Sequence, residues 1–269
     1  MIRLPAVAGR FYPDDPNHLS ADVDAFLAGG VEEKKFRARG CLVPHAGYIY
    51  SGSVAGEVYR RLDIPRRVIL LGPRHFPRGA PLAILSDGAW QTPLGMAPID
   101  HLLAEKIVRA FPLLREDAVA HSTEHSLEVQ LPFLQRAVPS FAFVPIVIGP
   151  AKWETLEGLG HALAAVIGEE REPVLLIASS DMNHYESDAV TRVKDRKAIE
   201  QILVLDARKL FDSVHEEKIS MCGYAAAVAV LVAARELGAS RSELIQYATS
   251  GETNGDMQNV VGYAGMIVE

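Results

Sequence analysis

Cysteine is scarce: the chain has only Cys41 and Cys222 in 269 residues. A disulfide-stapled secreted fold is thereby excluded, and a reducing cytoplasm is the expected compartment. The opening MIRLPAVAGRFYP lacks the apolar stretch of a secretory signal. The longest apolar run, Ala225 to Ala234, is ten residues, about half of the roughly twenty that a membrane span requires. Net charge is -7 and no long basic run occurs, which argues against nucleic acid or an anionic membrane as partner. Familiar signatures are missing too. There is no Walker P-loop, no GxGxxG after an apolar run, no GxSxG elbow and no HExxH. Nucleotide binding, dinucleotide redox chemistry, α/β-hydrolase chemistry and zincin chemistry lose their usual sequence support.

Hydrophobic residues make up 49% of the chain, enough for a sizeable core. Short continuous apolar runs at Cys41–Val43, Val68–Leu71, Phe143–Ile148, Val174–Ala178, Leu244–Ala248 and Val260–Val268 read as strands buried on both faces. Helical patterns lie between them, at Leu19–Leu27, Ser53–Leu62, His101–Ala110, Ser126–Ala137, Thr155–Ile167, Val190–Leu203 and Gly223–Leu237. The alternation predicts a three-layer α/β/α sandwich with a mixed, mostly parallel central sheet. Asp87-Gly88, flanked by two short runs, predicts a hairpin turn within an antiparallel part near residues 82–97. The charge run over 32–40 reads as a solvated connection. With no repeat and no linker, residues 1–269 are expected to form one domain.

Sites in open α/β sheets form beyond the carboxyl ends of the strands. Four apolar runs end in reactive residues. VPHAGYIYSG delivers His45, and VILLGPRHF delivers His75. VLLIASSDMNHY delivers Ser179, Ser180, Asp181, Asn183 and His184, and LIQYATSGETNGD delivers Thr249, Ser250 and Glu252. A lone histidine after a strand is usually a structural residue, but three at three strand ends predict one shared site at one sheet edge.

Cys222 precedes a long Ala/Val helix, where helix N-terminal charge favours the metal-ligating thiolate. Read alone, a small buried hydrophobe is the slightly stronger role for it. Cys41 reads as core. In AHSTEHSLEVQLPFLQ, His121 and His125 stand four apart, a spacing that can suit a metal on one helix face. A helix start capped by Ser122 or Thr123 fits as well, with Glu124 and His125 orienting ligands from a second shell.

Taken in order, PAVAGRFYP, VPHAGYIYSG, LLGPRHF, EHSLEVQLPFL, SSDMNHY, MCGYAA and VVGYAGMIV resemble the Memo family, whose fold is similar to that of class III extradiol ring-cleaving dioxygenases. The resemblance covers nearly the whole chain. It implies a metal site of His45, His75 and Cys222, with Asp181 and His184 beside it and His184 as acid/base. Ring-cleaving enzymes use a carboxylate as third ligand, so Cys222 departs from their pattern. Phe11 departs too, standing where some members have tryptophan in a region implicated in phosphotyrosine-peptide binding. The family also associates such chains with radical-SAM and AMMECR-type partner proteins.

Two imidazoles and a soft thiolate favour iron or copper, or zinc, over magnesium and calcium. The expected function is a metal-dependent redox enzyme, dioxygenase- or oxidase-like, using Fe(II) or Cu on an unknown small substrate. Its rivals are a metal-dependent hydrolase and a non-catalytic adaptor that holds a small molecule or peptide in the same cleft.

Overall fold

The computed structural model describes residues 1–29, 35–138 and 140–269. Its strands are β1 (Ile2–Arg3), β2 (Gly40–Val43), β3 (Arg67–Pro73), β4 (Leu82–Ile84), β5 (Ala89–Thr92), β6 (Gly95–Pro98), β7 (Arg115–Glu116), β8 (Ala142–Ile148), β9 (Val174–Ser179), β10 (His184–Glu186), β11 (Ser242–Thr249) and β12 (Val260–Val268). Its helices are α1 (Pro16–Leu27), α2 (Tyr48–Arg61), α3 (His101–Ala110), α4 (Ala118–His121), α5 (Leu131–Ala137), α6 (Trp153–Gly168), α7 (Asp188–Leu203), α8 (Ala207–Glu216), α9 (Tyr224–Glu236) and α10 (Gly251–Asn254).

The main sheet runs β10-β12-β2-β9-β3-β8-β4-β7, with β11 also paired to β12. Its centre is parallel: β2 pairs β9, β9 pairs β3 and β3 pairs β8. β12 and β4 flank this centre antiparallel, so the sheet is mixed as expected. Side chains alternate across it. Leu42, Ile69, Leu71 and Leu176 face the layer of α3, α6, α8 and α9. Cys41, Val43, Val68, Leu70 and Leu175 face the layer that includes α1, α2 and α5. Both faces are covered, which is why these runs are apolar throughout rather than alternating.

Three details depart from expectation. Asp87-Gly88 turns no hairpin: β4 belongs to the main sheet, while β5 and β6 form the antiparallel pair, in a separate sheet with β1. Gly88, at φ +103, instead packs against the Met1 backbone, where a Cβ would collide. The helix expected at Ser126 begins later, because Glu124 and Ser126 are tied down by side-chain bonds. A short 3-10 turn at Glu128–Gln130 leads into α5, with Pro132 in the first turn, where its missing N–H costs nothing. Finally, α8 was not among the expected helices. The solvated connection predicted over 32–40 includes Glu32, Glu33 and Lys34, which lie outside the described residues.

Candidate metal centre

The parallel centre sends its carboxyl ends to one edge. His45 follows β2, His75 follows β3, and Asp181 and His184 follow β9. The turn after β2 is short because α2 starts at Tyr48, directly after Gly47. Tyr48 is buried and donates its hydroxyl to Val129 O at 2.7 Å, so it packs beneath the site. His45, His75, His184 and Cys222 all line one cleft of about 600 Å³, together with His125, Asp181, Phe11, Tyr185 and Tyr263.

Within this cleft His45, His75 and His125 each offer a ligand atom, all within 4.8 Å of one another. Their rings lie 4.4 to 5.6 Å apart between centroids. His125, expected to orient ligands, thus stands among them. Cys222 Sγ meets the group through His45, 3.1 Å from Nε2.

Hydrogen bonds decide which ring nitrogens are free. Ser179 Oγ donates to Ser126 O at 2.6 Å. Its proton is therefore spent, and at 3.0 Å it accepts from His45 Nδ1. Gln130 steadies that serine with a second donor at 2.9 Å. His45 Nε2 is left as an acceptor that faces Cys222 Sγ. Glu124 does the same for His75: its carboxylate accepts from Nδ1 at 2.8 Å and from the backbone N–H at 2.6 Å. His184 Nδ1 donates to Ser220 O at 3.0 Å, which leaves Nε2 as the nitrogen without a protein partner. Imidazoles fixed through their far nitrogen are what metal ligation requires.

Charge follows the same logic. Burial, then the neighbouring His75, hold His45 well below the usual imidazole range. Burial and the other two histidines bring His125 down to about 4. Burial pushes Glu124 up, but the His75 bond and the Ser126 N–H outweigh it and settle the group at about 2. At neutral pH these two imidazoles are uncharged beside an ionised carboxylate, a donor set that fits a divalent transition metal. Asp181, raised by burial, accepts from the His45 N–H at 2.7 Å. Cys222 sits two residues before α9, yet burial and the Asp181 charge push its thiol well above the usual range. The helix-terminal bias toward thiolate is overridden in the metal-free chain.

Other expected residues have structural work. Ser180 Oγ accepts from the Gly223 N–H at 2.9 Å. Asn183 Oδ1 accepts from Ser220 N and Oγ, and Ser220 Oγ in turn accepts from the His184 N–H. Thr249 donates to Asp188 and Glu252 pairs with Arg192, so neither serves the cluster. His121 is buried at the end of α4 against Trp90. Ser122 caps the end of α4 and Asp117 its start. Cys41 is core, as expected. Gln130 and Ser220 were not expected at the site; contacts with Pro44, Ser179 and His184, distant in the chain, bring them there.

Fold and site together define an α/β protein with histidines gathered at the carboxyl edge of a parallel-centred sheet. A family model described as "Memo-like protein" matches residues 3–267. A MEMO1 family protein of Aquifex aeolicus is 43% identical over 267 residues, covering 99% of this chain and 98% of its own. Another, of Methanopyrus kandleri, is 40% identical over 279 residues, covering 99% of each. The chain belongs to the Memo-like family. An uncharacterized protein from Escherichia coli K12, known from its crystal structure, shares the fold with a TM-score of 0.54 and 15% identity, over 86% of this chain and 100% of that one. Among the described residues no helix is long and apolar enough to cross a membrane.

Proposed function

We propose that the chain is a metal-dependent oxidoreductase. His45, His75 and Cys222 hold one transition-metal ion, and His125 offers a further nitrogen beside them. The observation that carries this reading is the gathering of His45, His75 and His125, whose ligand atoms lie within 4.8 Å of one another, with Cys222 Sγ beside that group at 3.1 Å from His45 Nε2. Cys222 would hold the ion as the thiolate, the form that ligation requires, with its proton released to solvent. The resulting charge offsets part of the ion's. Soft sulfur with imidazole selects iron or copper, with zinc as the accommodated third. When bound, iron or copper would supply a redox-active Lewis acid.

The remaining groups handle substrate and protons. His184, held through Nδ1, lines the same cleft and is placed to take a proton from a small substrate at Nε2 and return it. Ser220 fixes its tautomer. Phe11, Tyr185 and Tyr263 give the cleft flat apolar walls suited to a planar substrate.

The test is anaerobic loading with Fe(II), then elemental analysis and oxygen uptake with ring-hydroxylated aromatic probes. One iron per chain is expected, with loss of binding in His45→Ala. His184→Ala keeps the metal and loses turnover by roughly 10²–10⁴-fold. X-ray absorption should show sulfur at about 2.3 Å, the distance of a metal thiolate, and Cys222→Ser should abolish it. Unchanged iron content in His45→Ala, or no oxygen uptake by the loaded chain, overturns the reading.

A further inference from the structure

The PAVAGRFYP motif gives the chemistry above only the Phe11 wall, yet Arg3, just ahead of it, makes a costly contact. Arg3 Nη1 and Glu128 Oε2 form an ion pair at 2.6 Å with side chains 7% and 0% exposed. Buried pairs of this kind add little net stability, because desolvation consumes most of the attraction. The contacts of this pair tie the N-terminal segment to the loop that carries Glu124 and His125. Glu128 Oε1 accepts from the Val7 N–H at 3.0 Å and the Tyr12 hydroxyl at 2.6 Å. Oε2 also accepts from the Ala6 N–H at 2.8 Å, so both carboxylate oxygens are fully used. Arg3 Nε donates to His121 O at 2.7 Å and Nη2 to Glu124 O at 2.6 Å, while its guanidinium lies 4.0 Å over Trp90.

Residues 122–127 have no regular backbone pattern, yet they present Glu124 and His125. Arg3 grips the carbonyls of His121 and Glu124, and Glu128 anchors the far end. The same segment reaches the His45 turn: Phe11 O accepts from the Tyr48 N–H at 2.8 Å. The Phe11 ring lies 4.7 Å from His125. Gly9, at φ +75, folds the segment so that its N–H reaches Tyr12 O, which brings Phe11 and Tyr12 inward together.

We infer that residues 3–12 are a positioning strap that sets the spacing of the His45 turn and the Glu124–His125 loop, and with it the affinity of the metal site. This rests on the metal reading proposed above. The strap contributes no ligand of its own. It acts by removing the freedom of two ligand-bearing loops that share no strand pairing.

Cobalt(II) titration tests it, because visible absorption reports both occupancy and ligand geometry. The wild-type chain should bind one cobalt with a defined spectrum, and His45→Ala should bind none. If wild type binds no cobalt, the metal reading fails and the strap falls with it. Given wild-type binding, Glu128→Gln should weaken affinity by about 10–100-fold, the usual cost of disturbing groups behind metal ligands, and should alter the spectrum. Arg3→Lys should not rescue, since an ammonium cannot span three acceptors in the plane of a fork. Circular dichroism establishes that each variant folds. Tyr12→Phe removes one of the four donors and leaves the ion pair intact, so it decides the matter if Glu128→Gln does not fold. Its expected loss lies at the low end of the same range. Folded variants with wild-type affinity and spectrum overturn the strap while leaving the metal reading standing.

Discussion

His45, His75 and His184 each donate through Nδ1, so that Nε2 is the nitrogen left to face the cleft. For His75 the commitment is strongest, since an ionised and buried carboxylate accepts the hydrogen bond of its Nδ1–H. Glu124 also accepts from two backbone donors, at His75 and Ser126. An amide in its place has only one accepting atom, and its NH₂ would face donors. Glu124→Gln is therefore expected to leave His75 free to rotate and to lower metal affinity by about 10–100-fold. Competition for Zn(II) against a chromogenic chelator measures this. Affinity within twofold of wild type would mean that the carboxylate does not orient the ring.

At the scale of elements, α1 and α2 meet through missing side chains. A Cβ on Gly56 would lie 2.5 Å from Phe26 O and 2.6 Å from Phe26 Cβ. On an exposed helix, glycine to alanine gains about 1 kcal/mol. Here the sign reverses, because the backbone at the end of α1 must retreat. Gly56→Ala is expected to cost about 1–3 kcal/mol, the range for overpacking a filled contact, and to leave cobalt binding intact. Urea denaturation with a parallel titration checks both halves.

Legibility in the sequence follows from the same local-against-distant distinction. The central strands were legible because burial on both faces leaves continuous apolar runs, and His45, His75 and His184 because each directly follows such a run or its turn. α8 had a signal as well: Asp206 caps it, and Ala207, Leu210 and Val214 recur at helical spacing on its buried face. His121 is buried against Trp90, so the spacing of four that pairs it with His125 pointed to the wrong partner for His125. His125 sits in an irregular loop whose path depends on Arg3, more than a hundred residues away in the chain. No periodicity encodes a contact of that kind. The separation of β4 from β5 into two sheets was hidden for a similar reason, since it depends on Gly88 lodging against Met1.

For the whole molecule, buried titratable groups pull the pH dependence of stability in opposite directions. Burial lowers His125 to about 4 and His121 to about 3 from an ordinary 6.5. Between those values the unfolded chain binds protons that the folded chain refuses, so stability falls as pH drops below 6.5. Asp195 acts the other way. It is buried, accepts from the Asn183 N–H and the Tyr247 hydroxyl, and is raised by burial from 3.8 to about 7. Between those values the folded chain holds a proton that the unfolded chain has lost, so this group costs stability as pH rises, and the whole cost is present above 7. Asp195→Asn mimics the protonated acid. Its carbonyl keeps the Asn183 contact and its NH₂ can donate to the Tyr247 oxygen. Relative to wild type, the variant should gain stability steadily from pH 4 to pH 7, at a slope of up to about 1.4 kcal/mol per pH unit, and hold that gain at pH 8. The wild-type curve should also be the flatter of the two, since the acid offsets part of the histidine slope. Urea unfolding of the metal-free chain at pH 4, 6 and 8 measures both. A difference between the two proteins that does not change with pH would show that Asp195 is ionised throughout.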